Sequence, residues 1–206
     1  MKHLLAIIAA ILLVNPVFAQ LEIGINGGLV RNPASVLYIH DYKEQRKATD
    51  YAPVMTAQVM YNLKHWQVGI SAALRQQQIK YTQTVPVGCF GIEERTSNDK
   101  EQLVPIQLQV SRKFNFNSIE PYCGVAAGLV KGFGTVRVTR IEQAGETFTY
   151  QSSGIAAGAH AGLTWYITRK VGINTEVAAS YMKVSGTVLQ YDPIALAMTA
   201  GIRYRL

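Results

Sequence analysis

Apolar and polar residues alternate with period two through most of this chain, and the alternation marks eight strands. In the first, Leu21, Ile23, Ile25 and Leu29 are apolar, and Glu22, Gly24 and Asn26 fall between them. The second runs from Val54 to Leu63, with Met55, Ala57, Val59 and Tyr61 opposite Thr56, Gln58 and Asn62. The third sets Trp66, Val68, Ile70, Ala72 and Leu74 against Gln67, Gly69, Ser71 and Arg75, and the fourth sets Val104, Ile106, Leu108 and Val110 against Gln107, Gln109 and Ser111. The fifth carries Cys123, Val125, Ala127 and Leu129 opposite Tyr122, Gly124, Ala126 and Gly128. The sixth places Ile155, Ala157, Ala159, Ala161, Leu163 and Trp165 against Gly158, His160, Gly162 and Thr164. The seventh opposes Val171, Ile173, Val177, Ala179 and Tyr181 to Gly172, Asn174, Glu176 and Ser180. The eighth opposes Ile194, Leu196, Met198, Ala200, Ile202, Tyr204 and Leu206 to Thr199, Gly201, Arg203 and Arg205.

The connections alternate too. Short links follow strands two, four and six (Lys64-His65, Asn115 to Ser118, Thr168 to Lys170), and long polar ones follow one, three, five and seven (Arg31 to Ala52, Gln76 to Gln102, Lys131 to Ser153, Met182 to Pro193). Short turns on one rim and long loops on the other predict an eight-stranded antiparallel up-and-down transmembrane β-barrel, whose strands need about 9 to 11 residues to cross at a tilt. The third long connection is expected to continue as a hairpin through Val136, Val138 and Ile141, turning at Ala144-Gly145 and returning by Phe148 and Tyr150.

Alternation by itself fits a soluble lipocalin-like barrel as well, since only the direction of the apolar face differs. In the soluble case the polar face is the exterior and should carry Lys, Glu and Thr. Here it carries Gly124, Gly128, Gly158, Gly162, Gly172 and Gly201, small residues that suit the crowded interior of an eight-stranded barrel. Trp66, Trp165, Tyr166, Tyr181 and Tyr204 fall near strand ends, where aromatic girdles meet the lipid-water boundary.

Composition narrows the compartment. The chain of 206 residues is 49% hydrophobic and 16% charged with a mean hydropathy of +0.09, which fits neither a disordered chain nor a bundle of membrane helices. Its net charge of +7 suits nucleic acid or an anionic lipid surface. The N-terminus separates the two: Lys2 and His3 precede an apolar run from Leu4 to Val14, broken by Asn15-Pro16 and followed by Val17-Phe18-Ala19. This is the pattern of a secretory signal peptide over residues 1–19, leaving one barrel domain over 20–206 and no nucleic acid as a partner.

The strand "PYCGVAAG" (Pro121 to Gly128), the hairpin "GAHAGLTWYITRKVGINTEVAASY" (Gly158 to Tyr181) and the terminal "AMTAGIRYRL" resemble the small outer-membrane β-barrel proteins of Gram-negative bacteria, the porin-family or OmpA-type barrels. The resemblance implies an outer-membrane location and recognition by the barrel-assembly machinery. In the family that machinery reads alternate hydrophobic residues at the C-terminus, matched here by Met198, Ala200, Ile202, Tyr204 and Leu206. It also brings in lipid A-modifying enzymes as one alternative.

Glu22 on the first strand and Arg203 and Arg205 on the last face inward at the same end, where closure makes those strands neighbours, so an ion pair is expected. Glu176 and Arg75 are expected to form a second lumen cluster with His160, Gln58, Gln107 and Gln109 around it. These charges read either as a gated conduit for ions or as pairing that burial demands; a filled interior favours the second. An enzyme needs a nucleophile beside a base near the outer rim, and of four histidines only His40, beside Asp41 with Ser35 upstream, is so placed. Cys89 and Cys123 are expected at opposite ends of the barrel and unbridged. No metal-ligand spacing or cofactor motif occurs. The first long loop interleaves Tyr38, His40, Tyr42, Lys43, Arg46 and Lys47, a basic, aromatic patch suited to lipopolysaccharide phosphates or anionic glycans. The expected function is a structural or surface-interaction role without catalysis, with outer-membrane lipid and lipopolysaccharide as partners and a narrow conduit or lipid-modifying enzyme as alternatives.

Overall fold

A computed structural model describes residues 20–31, 34–36, 51–87, 91–140, 143–186, 189–191 and 194–206. The segment read as a signal peptide lies outside them. The strands are β1 (Gln20–Arg31), β2 (Ala34–Val36), β3 (Tyr51–Leu63), β4 (Trp66–Val87), β5 (Gly91–Lys113), β6 (Ile119–Arg140), β7 (Gln143–Tyr166), β8 (Val171–Ser185), β9 (Leu189–Tyr191) and β10 (Ile194–Arg205). Following the ring from β1 through β3, β4, β5, β6, β7 and β8 to β10 returns to β1, so eight strands close one antiparallel barrel. Strands β2 and β9 pair separately as a small ribbon.

The short turns lie where the polar breaks place them. Lys64 and His65 reverse the chain between Leu63 and Trp66, and Lys64 (φ 21°) and Asn117 (φ 55°) take the positive φ that such tight reversals need. The first barrel strand and the C-terminal residue meet at this rim, where the Leu206 amide donates to the Leu21 carbonyl at 2.9 Å.

Apolar side chains point outward and polar ones inward. Ile70, Leu108 and Val177 are 53%, 56% and 52% exposed, whereas Glu22, Gln58 and Arg203 are 1%, 1% and 2% exposed. A soluble barrel reverses this arrangement, so the lipocalin-like alternative is excluded; a belt of exposed Ile, Leu and Val is stable against acyl chains and not against water. Trp66, Trp165 and Tyr204 are exposed at the short-turn rim and Tyr181 at the other. Tyr166 departs from the expected girdle: it is one residue past Trp165, falls on the opposite face and is buried in the lumen.

Glycine thins the wall where the interior is crowded. A Cβ at Gly162 would collide with the hydroxyl of Tyr122, and one at Gly201 with the Ile25 carbonyl.

The barrel is taller on one side. Strands β4, β5, β6 and β7 have 22, 23, 22 and 24 residues, against 12, 13, 15 and 12 for β1, β3, β8 and β10. The long connections expected at Gln76 to Gln102 and Lys131 to Ser153 are therefore continuous hairpins, paired out to Val87↔Gly91 and Arg140↔Gln143. The second reverses before the expected Ala144-Gly145 turn, which lies inside β7. Outward residues become polar or basic at Gln76, Gln102, Lys131 and Ser153, so the hairpins rise beyond the apolar belt.

Candidate functional site

The lumen is the site that the described residues define, and it has three levels. At the short-turn end, Glu22 from β1 is the hub. Asn62 Nδ2 and the Tyr166 hydroxyl donate to its Oε2 at 2.9 and 2.8 Å. Arg203 Nη1 lies 3.3 Å from Oε1 and Arg205 Nη2 3.6 Å from Oε2. Arg205 also reaches Glu120 at 2.9 Å, and Lys113 meets the same carboxylate oxygen at 3.2 Å. Both arginines lie over aromatic rings, Arg203 4.4 Å from the Tyr122 centroid and Arg205 4.0 Å from that of Tyr166. Higher up, the Tyr122 hydroxyl lies 2.8 Å from Glu176 Oε2 and 3.0 Å from Asn174 Oδ1. Arg203 Nη2 approaches Glu176 at 3.8 Å and donates to Gln58 Oε1 at 3.3 Å. Three carboxylates (Glu22, Glu120, Glu176) thus face three cations (Lys113, Arg203, Arg205), a set that is neutral within itself. Charges taken out of water are tolerated only in such pairing.

Above this network lies a cavity of about 60 Å³ bordered by His160, Glu176, Arg75, Ser71, Ser180 and Thr199, with alanines around them. His160 Nε2 is 2.7 Å from Ser111 Oγ. That pair has the geometry of a base beside a nucleophile, yet Ser111 is 1% exposed and does not border the cavity, so the contact completes the hydrogen bonding of two buried side chains. Arg75 sits on the opposite wall. Its guanidinium is 3.2 Å from Met182 Sδ and 3.4 Å from Ser180 Oγ.

A third level is apolar. Val30 (β1), Ala52 and Val54 (β3), Leu103 (β5), Val130 (β6), Ala156 (β7), Met182 (β8) and Ala195 (β10) are each 0–3% exposed and form one cluster. Arg75 on β4, 8% exposed, completes the circle. Every barrel strand thus contributes a buried residue to this layer. Together with the charged network below, this layer stops the lumen twice.

The structure brings Glu22, Arg203 and Arg205 together at the rim expected for them. The second expected cluster divides instead. Glu176 joins Tyr122 and Arg203, His160 turns to Ser111, and Arg75 faces the far side of the cavity without an ion pair to Glu176. The phenol of Tyr122 and the guanidinium of Arg203 engage the Glu176 carboxylate from below, and the cavity separates it from Arg75. Sequence reasoning missed Lys113, Glu120, Asn62, Tyr122 and Tyr166 as network members, and it missed the apolar layer entirely. Cys123 is a free thiol on the exposed face; Cys89 lies outside the described residues. So do Tyr38, His40, Tyr42, Lys43, Arg46 and Lys47. Among the described residues no group of His, Cys, Asp and Glu has the arrangement of a metal site.

No family model matches the chain, and no curated protein matches it. Solved structures do. The outer membrane protein OprG of Pseudomonas aeruginosa is similar at 16% identity and TM-score 0.52, over 92% of this chain and 97% of that one. A major outer membrane protein of Thermus thermophilus is similar at 11% identity and TM-score 0.51, over 91% and 99%. Neisserial surface protein A is similar at 15% identity and TM-score 0.50, over 89% and 97%. At such identities the likeness establishes the fold alone, the eight-stranded up-and-down β-barrel of small outer-membrane proteins.

Proposed function

We propose that this barrel is a non-enzymatic integral protein of the outer membrane, exported by the N-terminal segment, whose role is structural or exercised through its outer surface. The observation that carries this reading is the doubly stopped lumen. A conduit needs a continuous wet path, and an apolar ring at 0–3% exposure speaks against one. An enzyme needs a reachable nucleophile and base, and the Ser111–His160 contact is sealed from both ends. What remains available is the outer rim: the rising hairpins of β4–β5 and β6–β7, and the first long loop with Tyr38, His40, Tyr42, Lys43, Arg46 and Lys47. Three cations interleaved with tyrosines along the sequence suit the phosphates and sugars of lipopolysaccharide.

Two measurements on the folded, purified protein test the reading. In planar bilayers it should give no ion conductance, and steady unit steps would establish the conduit instead. Lipopolysaccharide should bind and should lose about tenfold in affinity when Lys43, Arg46 and Lys47 are changed together to Ala, with a strong salt dependence. Unchanged affinity would remove the loop from the account, and a shift in lipid A mass on expression, lost in His40→Ala, would establish an enzyme.

A further inference from the structure

Four cations point into the lumen among the described residues, and three of them hold carboxylates. Lys113 and Arg205 share Glu120, and Arg203 and Arg205 share Glu22. Arg75 is the exception. It is 8% exposed, its two terminal nitrogens meet only a thioether and a hydroxyl, and its Nε has no acceptor. Glu101, two residues beyond Leu103 toward the loop rim, accepts from Ser152 Oγ at 3.0 Å and forms no ion pair with Arg75. A guanidinium does not lose its proton in a protein, so Arg75 stays cationic in a place where an uncompensated charge costs several kcal/mol.

Beside it lies the cavity of about 60 Å³, several times the roughly 10–15 Å³ that one water needs. Ser71, Ser180 and Thr199 supply hydroxyl donors around its wall, Gln107 and Gln109 add amide groups, and alanines fill the stretches between them. We propose that this cavity binds a small monovalent anion of the halide class, with Arg75 as its counter-charge. The charge of the ligand follows from the surroundings. Glu176 also borders the cavity, its carboxylate engaged below by Tyr122 and Arg203, so a divalent oxyanion meets repulsion that a single charge held at the Arg75 end does not. The size follows from the volume of the cavity.

Bromide is the probe, because it scatters anomalously and replaces chloride closely in size. The full barrel is refolded from urea into micelles in sodium bromide or, at equal ionic strength, in sodium isethionate, whose anion is too large for the space. The expected results are an anomalous peak in the cavity beside Arg75 and a folding equilibrium favoured about tenfold in bromide at roughly ten times its dissociation constant. In Arg75→Met, which removes the charge at similar length, the peak and the preference for bromide both vanish. Ala197→Leu fills the same space while keeping Arg75 and should do the same, so the inference stays testable if one variant fails to fold. An empty or water-filled cavity in wild-type crystals grown from bromide overturns the proposal. So does a preference for bromide that persists in either variant.

Discussion

The lower level of the lumen is closed by three carboxylates and three cations held at 2.9–3.8 Å from one another, the upper by eight apolar residues at 0–3% exposure. Both exclude water from an eight-stranded barrel, yet they depend on different properties of the chain. The charged level depends on partners: Glu22 alone serves Asn62, Tyr166, Arg203 and Arg205, so its loss leaves several buried donors stranded. The apolar level depends on volume, and a substitution there costs in proportion to the space it opens. One is specific and brittle; the other is tolerant and graded.

Removal of the hub should break the comparison most severely. Glu22→Ala strands Arg203 without its nearest carboxylate and should cost about 3–5 kcal/mol in urea unfolding from micelles; a loss below about 1 kcal/mol would mean that the lower level is not organised around it. Leu103→Ala opens the upper level and should cost about 3 kcal/mol, with Leu103→Met costing under about 1.5 kcal/mol because volume is nearly kept. Equal losses for the two would contradict dependence on volume. Planar-bilayer traces should stay silent for both Glu22→Ala and Leu103→Ala, since each leaves the other level intact. The smallest effect is expected for Lys113→Met, about 1 kcal/mol, because Glu120 keeps Arg205 at 2.9 Å.

The faces of the barrel were legible because the alternation has one phase per strand and a membrane barrel must obey it throughout. The Glu22, Arg203 and Arg205 grouping was legible because closure forces the first and last strands together, whatever lies between them. The apolar level was hidden by the same rule. Its members follow or precede an outward apolar residue, as in Leu29-Val30, Val54-Met55, Leu103-Val104, Leu129-Val130 and Tyr181-Met182, and such doublets read as a break in the pattern. They recur at the loop-side edge of the apolar belt on five strands, which is the signal that marks a plug. Tyr166 was misplaced for the same reason, as the second half of Trp165-Tyr166. Beyond the belt the alternation stops, as in Gln76-Gln77-Gln78 and Lys100-Glu101-Gln102. Without a contrast in hydropathy, the β4–β5 hairpin reads as a loop, whereas Val136, Val138, Phe148 and Tyr150 made the β6–β7 hairpin legible.

Glu22 and Arg203 stand 181 residues apart along the chain, whereas the hairpins of the tall wall pair residues that are close in sequence. Local pairings form early and distant ones late, since a long intervening chain must first be ordered. A buried ion pair therefore lies at the edge that closes the cylinder, where it acts as a latch and leaves the early steps of assembly to the four long strands.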